Sequence, residues 1–85
     1  MSKLRIGNLD EDASIADLIE LCRSEYGTPT GVVIHRGHGV SHAFINLDER
    51  SAAYALEMDG HIWRGRRLSI CHANTPKRYR YKDRN

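Results

Sequence analysis

Long apolar runs are absent from this 85-residue chain. Nothing approaches the roughly eighteen consecutive apolar residues that a membrane helix needs, so no transmembrane span and no membrane partner are expected. The opening Met1-Ser2-Lys3-Leu4 passes directly into an alternating pattern. It carries no apolar leader region, which argues against a secretory signal. Cysteine is scarce: Cys22 and Cys71 lie far apart and form no C-x-x-C, the pattern of free thiols in a reducing compartment. An intracellular location, nuclear or cytoplasmic, is expected. Catalytic signatures are also missing. There is no G-x-S-x-G, no phosphate-binding loop and no Ser-His-Asp order, and no obvious pair of carboxylates lines the sheet face expected to be open, so no enzyme activity is expected. His35, His38 and His42 cluster in the chain, but neither they nor Cys71 fall at zinc-ligand spacing, and no metal or other cofactor is expected.

What is present describes one small domain, with 40% apolar and 28% charged residues. The formal net charge of +2 conceals an uneven distribution. Residues 1–59 carry five basic and ten acidic side chains, whereas residues 60–85 carry eight basic and one acidic. A basic end of this kind suits an anionic partner.

Along the chain, Lys3 to Leu9 reads as a strand with Leu4 and Ile6 on one side and Lys3 and Arg5 on the other, interrupted at Gly7-Asn8. Ser14 and Asp17 have capping-box spacing, and Ile15, Leu18, Leu21, Cys22 and Tyr26 follow helical spacing. Gly27 is placed as the C-terminal cap, and Pro29 stops the helix from resuming. Val32 to His35 is a short β-branched strand, Arg36-Gly37-His38-Gly39 a compact turn, and residues 40–47 a hairpin partner. Asp48 caps a second helix ending at Gly60. Two stripes compete for its buried face, and the one favoured is Ser51, Tyr54, Ala55 and Met58 over Ala52, Ala55, Leu56 and Asp59. Residues 61–65 form a turn-rich link with room for a small hairpin, and Arg66 to His72 alternates again, with Arg67, Ser69 and Cys71 outward.

The order strand, helix, strand, strand, helix, strand predicts an α+β, ferredoxin-like βαββαβ sandwich: a four-stranded antiparallel sheet with both helices on one face. The other face is then open. It carries Arg5, Val33, His35, Val40, His42, Phe44, Asn46, Ser69 and Cys71. The stretch Val40 to Leu47 is the most informative, because Ala43, Ile45 and Leu47 alternate with an imidazole, a phenyl ring and an amide at His42, Phe44 and Asn46. Rings flanked by hydrogen-bonding groups on an exposed strand outline a platform for single-stranded nucleic acid. Past Ala73 the apolar pattern stops. Lys77-Arg78-Tyr79-Arg80-Tyr81-Lys82 interleaves cations, which neutralise phosphates, with rings that stack. Residues 1–75 are read as the domain and 76–85 as a basic, tyrosine-containing tail.

These residues resemble an RNA recognition motif over about residues 3–75. Leu4 to Leu9 is similar to the six-residue motif of that family's first strand. Val40 to Leu47 is similar to the eight-residue motif of its third, K/R-G-F/Y-G/A-F-V-x-F/Y. Tyr26-Gly27, Met58-Asp59-Gly60 and Gly65 to Ile70 stand in the family's order. The chain departs from the pattern at Arg5 and His42, where stacking aromatics are usual, at Val40, the place of a phosphate-binding cation, and at Ser41, the place of a glycine. The resemblance implies a single-stranded RNA partner and base stacking at Phe44, with His42 and Arg5 framing a second base and Asn8 in contact. His35, Asn46, Arg67, Ser69, Cys71 and Asn74 complete the expected surface, and Lys77, Arg78, Tyr79 and Arg80 add phosphate and ring contacts. RNA processing or regulation is the expected setting. The alternative is a protein-interaction module on the same fold, using the helix face or the Trp63 region. Relatives of that type carry Arg-x-Phe after the second helix, where this chain has His61-Ile62-Trp63, beside an acidic first helix matched here by Asp10, Asp12, Asp17 and Glu20.

Overall fold

A computed structural model describes residues 1–73. Its elements run β1 (Ser2–Asp10), α1 (Ile15–Glu25), β2 (Gly31–Arg36), β3 (Val40–Leu47), α2 (Glu49–Glu57), β4 (Ile62–Trp63), β5 (Arg66–Arg67) and β6 (Ser69–His72). Strands β2, β3, β1 and β6 form, in that spatial order, a four-stranded antiparallel sheet. This is the expected α+β sandwich with a ribbon, β4–β5, added at the link. Among the described residues, no helix is long and apolar enough to cross a membrane.

Alternation decides the two faces. Leu4, Ile6 and Leu9 of β1 and Ala43, Ile45 and Leu47 of β3 are fully buried, and they pack with Leu18, Leu21 and Cys22 of α1, Ala52 and Ala55 of α2, and Leu68 and Ile70. At about 25 cal/mol per Å² of apolar surface removed from water, this layer is the main source of stability. Helix α1 begins as its sequence dictates. Ser14 Oγ accepts the Asp17 N–H and Asp17 Oδ2 accepts the Ser14 N–H, both at 3.0 Å. Caps of this kind are worth about 0.5–2 kcal/mol.

Four expectations are corrected. Helix α2 buries Ala52 and Ala55 while Tyr54 is 52% exposed, so the second stripe is the packed one. Two alanines let the helix lie close to the sheet, and a step of about 100° from Ala55 carries Tyr54 to the flank. Asp59 is not part of that packing; its Oδ1 accepts the Ile70 N–H at 2.8 Å and closes a hydrogen-bonding position on the edge strand β6. Arg66 to His72 is not one strand. The Gly60 N–H donates to the Leu68 carbonyl and the Leu68 N–H to that of His61, so Arg66 and Arg67 pair back with the ribbon before β6 begins. Gly7-Asn8 does not end β1, which continues to Asp10 through a bulge at which Asn8 takes a φ of 64°.

Gly27 has a spatial role beside the expected capping one, in which its N–H donates to the Cys22 carbonyl at 2.7 Å. Tyr26 is the C-cap, and Gly27 is absent from the positive-φ positions. A Cβ there would collide with Ser51 Oγ and lie 2.7 Å from Ser51 Cβ, so the missing side chain lets the end of α1 meet the start of α2. Gly27→Ala should therefore destabilise the domain by about 1–3 kcal/mol. Ser51→Gly, harmful alone, should recover part of that loss in the double variant. Urea unfolding of the four proteins checks the coupling, and simple additivity would refute the contact.

Candidate functional site

The open face is arranged by the strand registers. Val33, Phe44, Arg5 and Cys71 are successive partners across β2, β3, β1 and β6, forming one row over the whole sheet. Gly31, Asn46 and Lys3 form the row on one side, and His35 and His42 begin the row on the other. That last row meets β1 at the bulge, where Gly7 pairs with Ser69.

Three of the expected residues converge tightly. The His35 and His42 rings stack with centroids 5.1 Å apart and planes 18° apart. Each meets the Phe44 ring edge-on at 5.5 Å. Such offset and edge-to-face contacts contribute about 0.5–1.5 kcal/mol each between aromatic rings, and they hold these rings in place on the surface. Phe44 and His42 are half-buried, and His35 and Val33 are exposed. The Asn46 amide lies beside Gly31, where a Cβ would come within 3.0 Å of Asn46 Nδ2. Phe44, Asn46, Val33 and Lys3 line a shallow groove of about 960 Å³ that reaches to Ala73. Lys3 belongs to the surface although the sequence reading did not select it. Its signal was available, since it shares the parity of Arg5 on β1. Asp10, opposite Val40 at the far end of this face, has its carboxylate engaged with the Asp12 N–H at 3.1 Å.

Two candidates stand apart from this cluster. Asn8 serves the fold: its Nδ2 donates to the Arg67 carbonyl at 2.8 Å, and its Oδ1 and backbone carbonyl accept from Arg66 Nη2 and Nε, both at 3.0 Å. Arg67 lies on the ribbon and is exposed, off the four-stranded sheet. Ser69 and Cys71 sit on β6 as expected, exposed and half-buried respectively. The expectations for Asn74, Lys77, Arg78, Tyr79 and Arg80 lie outside the described residues. So does the suggestion that Tyr79 or Tyr81 covers Phe44. Among the described residues, no three His, Cys, Asp or Glu side chains converge as a metal ion would require.

On the helix side, Trp63 is half-buried with the Arg64 guanidinium 4.7 Å from its ring centroid. Arg64 Nη2 also pairs with Asp17 Oδ1 at 3.0 Å. The Ser14 backbone and hydroxyl, then Arg64, hold the Asp17 carboxyl below the usual range.

Comparison with solved structures identifies the architecture. The chain is similar to the Rna15 RRM with bound RNA (GU), at 23% identity and a TM-score of 0.73 over 86% of this chain and 83% of that one. It is also similar to the RRM3 domain of Mip6, at 13% identity and a TM-score of 0.78 over 86% of this chain and 93% of that one. A third similar structure contains RNA recognition domains 1 and 2 of Sex-lethal from Drosophila melanogaster, with 25% identity and a TM-score of 0.74 over 88% of this chain and 51% of that one. The chain has the RNA recognition motif fold. No family model and no curated protein matches the sequence. Within this RNA recognition motif fold, the row through Arg5 and Phe44 lies on the sheet face opposite the helices.

The engaged, buried and accessible groups carry three predictions. Asn8→Ala removes the two side-chain contacts with the ribbon and places a Cβ residue without a side-chain amide at positive φ, so it should cost about 1–3 kcal/mol. Asn8→Gly should cost less, and thermal melting of both variants ranks them. Burial pushes the Cys22 thiol up to about 11 and the Tyr26 hydroxyl up to about 12. Both groups are largely neutral below about pH 8 whether the chain is folded or not. Above that, the unfolded chain ionises first, the thiol before the hydroxyl, so stability should fall from about pH 8 as the pH rises toward the folded values. Cys71, half-buried at the sheet edge, should react rapidly with a thiol reagent at pH 8, while Cys22 reacts only on unfolding. Equal rates in Cys22→Ala and Cys71→Ala would contradict that assignment.

Proposed function

We propose that this domain binds single-stranded RNA on its open sheet face. The observation that carries the reading is the fixed ring cluster of His35, His42 and Phe44 beside Arg5, on the face away from both helices. Bases stack on Phe44 and on an imidazole, Asn46, Ser69 and Cys71 offer polar contacts, and Lys3 meets the backbone at the groove. The basic tail, through Lys77, Arg78, Tyr79 and Arg80, adds phosphate and ring contacts. Support comes from the geometry and from the similar Rna15 domain, whose structure contains bound RNA. The proposed role is passive binding without turnover, inside the cell, in RNA processing or regulation.

The protein-interaction reading draws on the exposed Tyr54 and Ile62. Against it, the Asp17 carboxylate is engaged by Ser14 and Arg64, and Arg64 lies over Trp63. The acidic helix and the aromatic that such a partner would use are therefore already in contact with the domain's own arginine.

The test is binding of a labelled random single-stranded RNA pool to the full chain, to Phe44→Ala and to a chain ending at Thr75, at low and moderate salt. One stacked base contributes about 1–3 kcal/mol, so Phe44→Ala should weaken binding roughly five- to hundredfold. Truncation should mainly flatten the salt dependence. If truncation alone abolishes binding and Phe44→Ala changes nothing, the sheet is not the RNA surface.

A further inference from the structure

Arg5 is the charged residue of the central row, and the ring cluster does not use its chemistry. It is half-buried, between Phe44 on β3 and Cys71 on β6. Among the described residues it has no ion pair, hydrogen bond or ring contact; the two ion pairs present belong to Glu49 and Asp17. Taking a guanidinium partly out of water without a partner is unfavourable, so such a group is poised for acceptors from elsewhere.

Its placement is also specific. A Cβ on Gly7 would lie 2.8 Å from Arg5 Nη1, so the guanidinium runs forward along β1 and lies low over the bare backbone of Gly7. Gly7 is buried although it stands on the open face. Ser69 Cβ flanks the same point and would lie 3.7 Å from that Cβ. The fork is thus held down at the level of the sheet, beside the row that begins with His35 and His42. A base stacked on the neighbouring rings would lie beside this fork.

The geometry points to Arg5 as a base-selecting residue for guanine, held in position by Gly7. This rests on the RNA-binding reading and extends it from an affinity to a preference. A guanidinium offers parallel N–H donors and no acceptor, so it matches a base edge with two neighbouring acceptors. Guanine supplies O6 and N7. Adenine pairs its N7 with an amino donor, and uracil places an N–H between its two carbonyls, so each sets a donor or a gap against the fork. Cytosine has adjacent acceptors on its pairing edge, but its single ring offers less surface to the adjacent Phe44 and imidazoles than a purine does.

The experiment uses the full chain and labelled uridine octamers carrying one central guanine, adenine, cytosine or 7-deazaguanine, read by fluorescence anisotropy. The guanine octamer should bind about tenfold or more tightly than the adenine and all-uridine ones, in line with the discrimination of one bidentate pair. The 7-deazaguanine octamer, lacking N7, should lose most of that advantage. Arg5→Lys, which keeps the charge and loses the fork, should level the series. Arg5→Gln provides a second test of the same loss should lysine disturb the sheet, with circular dichroism reporting the fold. Gly7→Ala should reduce the guanine preference by lifting the guanidinium. The proposal is overturned if the intact chain binds all four octamers alike, if cytosine equals guanine, or if the preference survives in both Arg5 variants. A uniform loss across the series with a shallower salt dependence would assign Arg5 to phosphate and equally overturn it. Binding without preference leaves the RNA-binding reading standing, while no binding to any octamer removes both.

Discussion

The antiparallel register between β1 and β3 is the constraint on which both faces of this domain depend. It sets Leu4 opposite Ile45 in the core and Arg5 opposite Phe44 on the open side. Because side chains alternate along a strand, a slip of one residue would exchange these faces, burying Arg5 and exposing Leu4. The core therefore enforces the surface. Fully buried Leu4, Ile6, Ala43, Ile45 and Leu47 fix the register, and the register then delivers Arg5, His42, Phe44 and Asn46 to one side. The stability of the apolar layer and the geometry of the binding face are one arrangement seen from opposite sides.

The bulge at Gly7-Asn8 modifies that arrangement where β1 meets the histidine row. It ends the regular β1–β3 pairing at Ile6 and resumes it at Leu9, so that Leu9 still enters the core. Asn8, at positive φ, turns its amide to Arg66 and Arg67 and so joins the ribbon to the sheet. Gly7 leaves the floor on which the Arg5 guanidinium rests. One irregular dipeptide thus preserves the core, anchors the ribbon and shapes the surface.

The tight turn between β2 and β3 is fixed in a comparable way by groups outside it. Glu11 Oε1 accepts the Gly39 N–H at 2.6 Å, and the Glu11 carbonyl accepts from Arg36 Nη1 at 2.7 Å. A Cβ on Gly37 would approach the Val40 carbonyl to 2.7 Å, so the turn closes only around a bare residue there. These contacts hold the exposed end of the hairpin that carries His35 and His42. Ser41, where the resemblance led one to expect glycine, is buried, and its hydroxyl has no hydrogen-bond partner among the described residues. A small side chain is tolerated at that position, at some energetic cost from the unpaired hydroxyl.

Local chemistry in the sequence determined the elements and the division of each strand into two faces. The Ser14–Asp17 capping box, the Asp48 cap and the alternation from Val40 to Leu47 are short-range signals that survive in the structure, because each is satisfied within a few residues of its origin. The convergence of His35, His42 and Phe44 on one open face was legible for the same reason, since hairpin register follows from a short turn. Tertiary structure alone decided the rest. Which stripe of α2 is buried depended on how closely two alanines let the helix approach the sheet. That Gly27 is needed for space depended on where Ser51 falls after folding. Asn8 and Arg66 are 58 residues apart, and no local pattern announces their pairing. The resting place of the Arg5 guanidinium over Gly7 likewise arises only when the side chain must choose among surroundings that other strands supply. Short-range hydrogen bonds and periodic burial are written into neighbouring residues; close approach and long-range polar pairing exist only once the chain has folded.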